Sequence, residues 1–217
     1  MIRITAVIAT SLALGACTTI NNKQLTPETS AQLQGKTIAV TRYSTPDFAA
    51  FTAGKAAFAV LGAAAMISEG NSIVQQNNIQ DPAIAISKGL QEKLKVSKNT
   101  VAAATDIDVE SDDLEKIIAK NTDAQFIVDY KTINWMFNYY PTDWSHYKVS
   151  YVGRLRLIDI ASKSVMAESA CTSVQGDDKN PPTKDQLLES DATLLKSYFA
   201  KAASACIEVL SRDVLKL

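Results

Sequence analysis

The stretch from Tyr147 to Ile160 constrains the chain more than any other. Tyr147, Val149, Tyr151, Leu155 and Leu157 alternate with Lys148, Ser150, Arg154 and Arg156. A period of two puts the first set on one face of a strand and the second on the other. A strand with one apolar face needs that face covered, so the chain requires a sheet with a second layer on it. Ala161-Ser162-Lys163-Ser164 turns into a further strand, Val165 to Val174. The second layer is written at the C-terminal end. Thr183-Lys184-Asp185-Gln186 has the pattern of a capping box, and Leu187, Leu188, Leu194, Leu195, Tyr198, Phe199, Ala202, Cys206, Val209 and Leu210 follow at three-and-four spacing. This predicts the longest helix of the chain.

The remaining elements fit the same plan. Lys36 to Thr41 reads as a first strand, and Asp81-Pro82 as cap and first residue of a helix that reaches about Lys95. Thr100 to Ala104 is a second strand, Ser111-Asp112-Asp113 opens a helix over Leu114, Ile117 and Ile118, and Gln125 to Trp135 is a third strand. The order predicts an α/β fold: a single mixed β-sheet of about five strands, helices packed on it, and a long C-terminal helix. With 217 residues and 47% hydrophobic content, one folded domain is expected and disorder is excluded. Lys plus Arg total 22 against 23 for Asp plus Glu, a net charge of −1. No positive field is present to hold nucleic acid by counterion release, so no nucleic-acid partner is expected.

The first residues carry an address. Met1-Ile2-Arg3 gives a positive start, and Ile4 to Leu14 is uncharged. That run reaches about 16 Å as a helix, roughly half of a ~30 Å hydrocarbon core, which suits a signal peptide rather than a spanning helix. It ends in Leu14-Gly15-Ala16-Cys17, which resembles the lipobox of bacterial lipoproteins. The resemblance implies a signal peptide over 1–16 and lipidation of Cys17, a palmitate-type acyl anchor. Thr18, not Asp, follows the cysteine, which by similarity to enterobacterial sorting implies the outer membrane, on its periplasmic face. The polar stretch Thr18 to Gln34 reads as a tether, so the expected organisation is a lipidated tether over 17–34 and a periplasmic domain over 35–217.

Three words of the domain are similar to the periplasmic α/β domain shared by curli-secretion, penicillin-binding-protein-activator and Pel-export lipoproteins. They are Gly35-Lys36-Thr37-Ile38-Ala39-Val40, Thr122-Asp123-Ala124-Gln125-Phe126-Ile127-Val128, and Arg156-Leu157-Ile158-Asp159-Ile160-Ala161-Ser162-Lys163. The chain departs from those families in the apolar stretch Phe48–Ile67 and in its late cysteines.

With Cys17 assigned to lipid, Cys171 and Cys206 remain, an even pair in an oxidising compartment. A structural disulfide is expected ahead of two buried free thiols. Metal ligation lacks donors, since His146 is the one histidine, and no cofactor motif occurs. Ser145 and His146 are strand neighbours and point to opposite faces, so they form no nucleophile and base pair. The acidic run Asp106 to Asp113 has Ser111 and Ile117 where a calcium loop needs Gly and Glu, and reads as a solvated turn. No catalytic residue is assigned, and the chain is expected not to be an enzyme.

Two features stand apart. Trp135, Phe137, Tyr139, Tyr140, Trp144 and Tyr147 gather six aromatics around Pro141-Thr142-Asp143. They are candidates for a partner-binding surface, against the alternative that they pack a sheet edge. On the first reading, replacing Trp135 and Trp144 would spare the fold. Ala56 to Ile67 carries no charge and is apolar all round, so something must cover it: the core, a subunit or partner, or a membrane surface. The expected function is an accessory or assembly factor of the cell envelope acting by protein binding. The alternative is a self-assembling ring or pore of an export system.

Overall fold

The computed structural model describes residues 20–56, 59–121 and 123–217, without side chains at 59 and 60. Cys17 and the signal segment lie outside the described residues. In chain order the elements are α1 (Pro27–Ala31), β1 (Thr37–Tyr43), β2 (Ala49–Phe51), α2 (Ala53–Ala56), α3 (Ala59–Gln76), α4 (Pro82–Lys98), β3 (Val101–Ala102) and β4 (Ile107–Val109). There follow α5 (Leu114–Ala119), β5 (Phe126–Tyr140), β6 (Asp143–Asp159), β7 (Ser164–Gln175) and α6 (Lys184–Val209), which closes in a wide turn at Leu210–Val214.

Strands form one mixed sheet in the order β3-β1-β5-β6-β7, with β4 also on β1 and β2 also on β5. β1 runs parallel to β3, β4 and β5, whereas β5, β6 and β7 form an antiparallel meander. The α/β class and the long C-terminal helix are as the periodicity indicates. Among the described residues the strand count is seven, because β2 and β4, three residues each, carry no alternation long enough to read. β4 lies inside the acidic run taken for a solvated turn: Ile107 and Val109 are buried and only Asp108 faces out.

Each face of the sheet is covered differently. On the inner face Ile38, Val40, Val128, Leu155 and Leu157 pack with Ile86, Leu90 and Leu94 of α4 and Leu195, Phe199 and Ala202 of α6. Asp81 caps α4 by accepting from the Ala83 amide at 2.9 Å, with Pro82 at the first helical position. On the outer face a smaller cluster joins Ala39, Ile107, Val109, Ile117, Ile127 and Ile158 beneath α5. That cover reaches only the Asp159 end of β6, which is why both faces of residues 153–158 are buried while the hairpin end shows simple alternation.

Two expectations on continuity need correction. First, the segment 17–34 is not a free tether from Lys23 onward. Lys23 and Glu168 exchange backbone hydrogen bonds at the edge of β7, the Leu25 amide donates to the Val214 carbonyl at 2.9 Å, and Leu25 and Leu33 are buried. Its polar composition hid two leucines that the core needs. Secondly, α6 is not one uninterrupted helix. Its capping box is present, with Gln186 and Thr183 bonded reciprocally. Glu189 then leaves helical geometry and Ser190, Asp191 and Ala192 turn left-handed, at φ of 52°, 56° and 56°. Leu188 and Leu194 therefore belong to different arms, and the long arm begins after Ala192.

One glycine is required by close approach. Gly70 of α3 lies directly against the Phe48 carbonyl, where a Cβ would clash with backbone. α3 can rest on β2 only with hydrogen at that position.

Candidate functional site

The hairpin β5–β6 places the six aromatics in two groups. Trp135 and Phe137 are fully buried and Tyr147 nearly so. Phe48 meets Trp135, Phe137 and Phe199 edge-on at centroid distances of 5.1, 5.8 and 5.9 Å, and Phe137 meets Tyr147 at 5.4 Å. The Trp135 indole donates to the Pro46 carbonyl at 3.1 Å, so even its polar atom is spent internally. These three are core residues, which corrects their assignment to a binding surface. The inner face must be filled where α6 crosses it, and aromatics at alternate positions do so. Tyr139 is half-buried, stacked on Phe51, and Tyr140 donates to Asp178. Only Trp144, at the hairpin turn, is largely exposed, at 68%, with its indole donating to the Pro141 carbonyl.

His146, the sole imidazole, is held by Asp143 across 2.6 Å at the same turn, and its strand position pairs with Thr183. Among the described residues no group of three or more His, Cys, Asp or Glu side chains could hold a metal ion.

The outer face carries a charge cluster that the alternation put in solvent. Asp129 and Arg154 are almost wholly buried, and Arg156 nearly so. Arg156 Nε donates to Asp129 at 2.7 Å, Arg154 reaches both Asp129 and Asp112, and Thr41 and Tyr43 donate to the other Asp129 oxygen at 2.9 and 2.6 Å. Burial is the main force pushing the Tyr43 phenol above its usual range, with Asp129 adding to it. For Asp112 burial opposes ionisation, but Lys131 and Arg154 outweigh it and hold the carboxyl below its ordinary value. The cluster ties β1, β5, β6 and the start of α5 together. Its hydroxyls and guanidinium groups are turned onto Asp129 and Asp112, as in a structural lock.

A second buried polar group sits under the inner face. Thr132 donates to Asp81 at 2.5 Å and lies 3.0 Å from the Tyr151 hydroxyl. Burial raises the Asp81 pKa, partly offset by the hydrogen bonds from Thr132 and Ala83.

The apolar stretch Ala56–Ile67 does not enter the core as a cylinder. Gly62, Met66 and Gly70 face inward, but Leu61, Ala63, Ala64, Ala65 and Ile67 are exposed, Leu61 at 81%. The inward side is fixed at its far end by Glu69, which pairs with both Lys55 and Lys184. The outward side of α3 is therefore an uncharged, small-residue surface that no other element covers among the described residues. At the opposite edge of the sheet Cys171 of β7 and Cys206 of α6 are joined, with Cα atoms 5.7 Å apart, fastening the long arm of α6. No helix among the described residues is long and apolar enough to cross a membrane.

No protein-family model matches the chain, and no curated protein matches it significantly. Solved structures similar to it include the hypothetical protein CT253 from Chlamydia trachomatis, at 12% identity and a TM-score of 0.43, covering 82% of this chain and 96% of that one. A PelC dodecamer from Paraburkholderia phytofirmans matches at 13% identity and a TM-score of 0.34, over 89% and 93% of the two chains. Lipoprotein GNA1162 from Neisseria meningitidis matches at 11% identity and a TM-score of 0.29, over 82% and 99%. A lipoprotein and a PelC dodecamer thus stand among the similar structures, but likenesses this distant fix neither a family nor an activity.

Proposed function

We propose that this chain is a lipoprotein of the bacterial envelope, held at the periplasmic face of the outer membrane through Cys17, and that it works by binding another protein rather than by catalysis. The lipobox supports the anchor. The observation that carries the binding role is the outer side of α3, where Leu61 and three consecutive alanines form one contiguous apolar surface exposed to water. Apolar surface left out of the core in this way marks an interaction site. The engagement of His146 by Asp143 and of Asp129 by Arg156 leaves the evident acid and base candidates serving structure.

A second reading is favoured by the same surface. Small residues let helices approach closely, so α3 also suits contact between copies, as a self-assembling ring or pore component would need. Photocrosslinking from position 61 in the intact envelope separates the two. A single foreign protein, joined in the wild-type frame and lost from co-purification on Leu61→Glu, supports the accessory factor. A self-ladder ending at a fixed size supports the assembly, and no adduct of either kind removes α3 as the binding surface.

A further inference from the structure

Beyond α3, the outer sheet face has a half that no helix covers among the described residues. Past the bulge between Thr132 and Asn134, the cross-strand rows on this face are Asn134–Val152–Thr172 and Met136–Ser150–Val174, followed by the pair Asn138–Lys148. Opposed residues share a face, and the sequence Lys148, Ser150, Val152, Arg154 places these rows on the side of the buried arginines. Ile133, the extra residue of the bulge, is 42% exposed and Val174 is 55% exposed. The rows contain aliphatic and uncharged polar side chains and one cation, Lys148, with no carboxylate.

The chain's entry into the fold points to what covers this face. Lys23 pairs antiparallel with Glu168, and Ser169 donates to the Asn22 side chain at 3.0 Å. Followed backward, the antiparallel sense turns the chain at Asn22 toward the Gln175 half of β7, which borders the uncovered rows, while the Asn21 side chain still donates to Glu168 at 3.3 Å. Cys17 precedes Ile20 by three residues, a reach of at most about 11 Å. A lipid on Cys17 accordingly keeps the bilayer surface within that reach of the β7 edge, which borders the uncovered rows, and away from β2 and α3 across the sheet.

We infer that the uncovered rows of β5, β6 and β7 rest on the phospholipid headgroups of the membrane that holds Cys17. The inference rests on the reading of Cys17 as lipidated. Asn134, Asn138, Ser150 and Thr172 would leave polar groups unsatisfied in hydrocarbon, but among headgroups they find hydrogen-bond partners. Ile133, Met136, Val152 and Val174 supply apolar contact at the acyl boundary, and Lys148 meets anionic headgroups without a neighbouring acid in these rows. Trp144 at the hairpin turn has the amphipathic ring that membrane interfaces favour. With this face on lipid, α3 lies on the inner side of the sheet and remains open to a protein partner.

The test uses the mature protein purified with its lipid and placed in phosphatidylethanolamine and phosphatidylglycerol vesicles whose acyl chains are brominated near the headgroup. In a Trp144→Phe background, Val174→Trp and Leu61→Trp place reporters on the two competing surfaces, while buried Trp135 gives a constant background. Both sites are exposed, so neither reporter disturbs packing. The Val174→Trp reporter is expected to lose about half its emission, since an interfacial group sits within reach of bromines at the acyl boundary, and Leu61→Trp none. Wild-type Trp144 provides a reading free of new substitutions and is expected to be quenched as well. An unquenched reporter at 174 overturns the inference, all the more if the reporter at 61 is quenched. The mass of the N-terminal peptide is measured on the same sample. Absence of diacylglycerol there removes the anchor reading, and the docking with it, whereas a lipidated chain with no quenching at 174 removes the docking alone.

Discussion

The aromatic stretch from Trp135 to Tyr147 and the apolar stretch from Ala56 to Ile67 exchange the roles their compositions suggest. The aromatic stretch, with its polar-tipped rings, has the composition of a recognition surface, yet Trp135, Phe137 and Tyr147 are core. The apolar stretch has the composition of a core segment, yet Leu61 and its neighbouring alanines stand in solvent. The difference lies in what each element has to cover it. β5 and β6 are flanked on their inner face by α6, and Phe199 and Phe48 close over the rings. α3 has β2 on one side, where Gly70 permits contact, while Leu61 and its alanines are left exposed on the other among the described residues. Burial is decided by the next layer, and side-chain chemistry only sets the cost of leaving a group out.

The widest separation between the two regions is expected at Trp135. Trp135→Ala empties a fully enclosed site ringed by Phe48 and Phe199 and should cost about 3–5 kcal/mol, read as a large drop in urea midpoint. Trp144→Ala, at the same hairpin, should fall within about 0.5 kcal/mol of wild type. Equal effects at the two tryptophans would break the division of the cluster.

Next in size is the covalent link that holds the covering layer in place. Cys171→Ser with Cys206→Ser frees a crosslink spanning 35 positions, and the chain-entropy estimate is a loss of about 3–4 kcal/mol. Because α6 carries Phe199 onto Trp135, tryptophan emission should redden in the variant under mild denaturant before the sheet melts, as followed by far-UV circular dichroism. Coincident transitions would mean that the aromatic core does not depend on the link. Smaller again is the titration of Asp81, beneath Thr132 at the root of the hairpin. Its folded pKa lies above the unfolded one because of burial. The folded state therefore binds the proton more tightly, and this group lowers stability progressively as pH rises from the ordinary carboxylate pKa through the raised one. Asp81→Asn can still cap α4, and its stability relative to wild type should be highest near neutral pH and decline toward acid. A difference that grows toward acid would show the carboxylate to be stabilised instead.

The parts legible in the chain are those that carry their own periodicity or cap. β6 announces itself by alternation, α4 by Asp81-Pro82, and α6 by the reciprocal pair Thr183 and Gln186. What could not be read depends on neighbours distant in sequence. β2 exists because three residues find the free edge of β5 beside Met136 to Asn138. Arg154 and Arg156 alternate as a solvent face should, but α5 and Asp112 close over them, and Asp129 is the counter-charge that makes their burial tolerable. Glu168 and Lys23 meet across more than half the chain. The break in α6 did leave a local trace: Glu189-Ser190-Asp191 is the most polar step of the pattern, and Ser and Asp are weak in helix interiors. The apolar run over α3 gave no sign of its orientation, since small and apolar residues occupy every side of it and no polar stripe marks the outside.

The smallest expected effect is the most informative about α3. Leu61→Ala removes a side chain that touches little within the folded chain, and alanine is the better helix former, so the stability of the isolated domain should change by no more than about 0.5 kcal/mol. The measurement is an equilibrium urea titration at two protein concentrations at least tenfold apart. An unchanged midpoint at both places Leu61 in water and leaves the surface free for a partner. A loss of about 2 kcal/mol or more, within the range typical of a core leucine, would mean that Leu61 is covered in solution. If that loss also grew with concentration, the cover would be a second copy of the chain, because only an associated state makes stability depend on protomer concentration. In that case the two regions would cease to differ in kind: each would be a core, one closed within the chain and the other closed between chains.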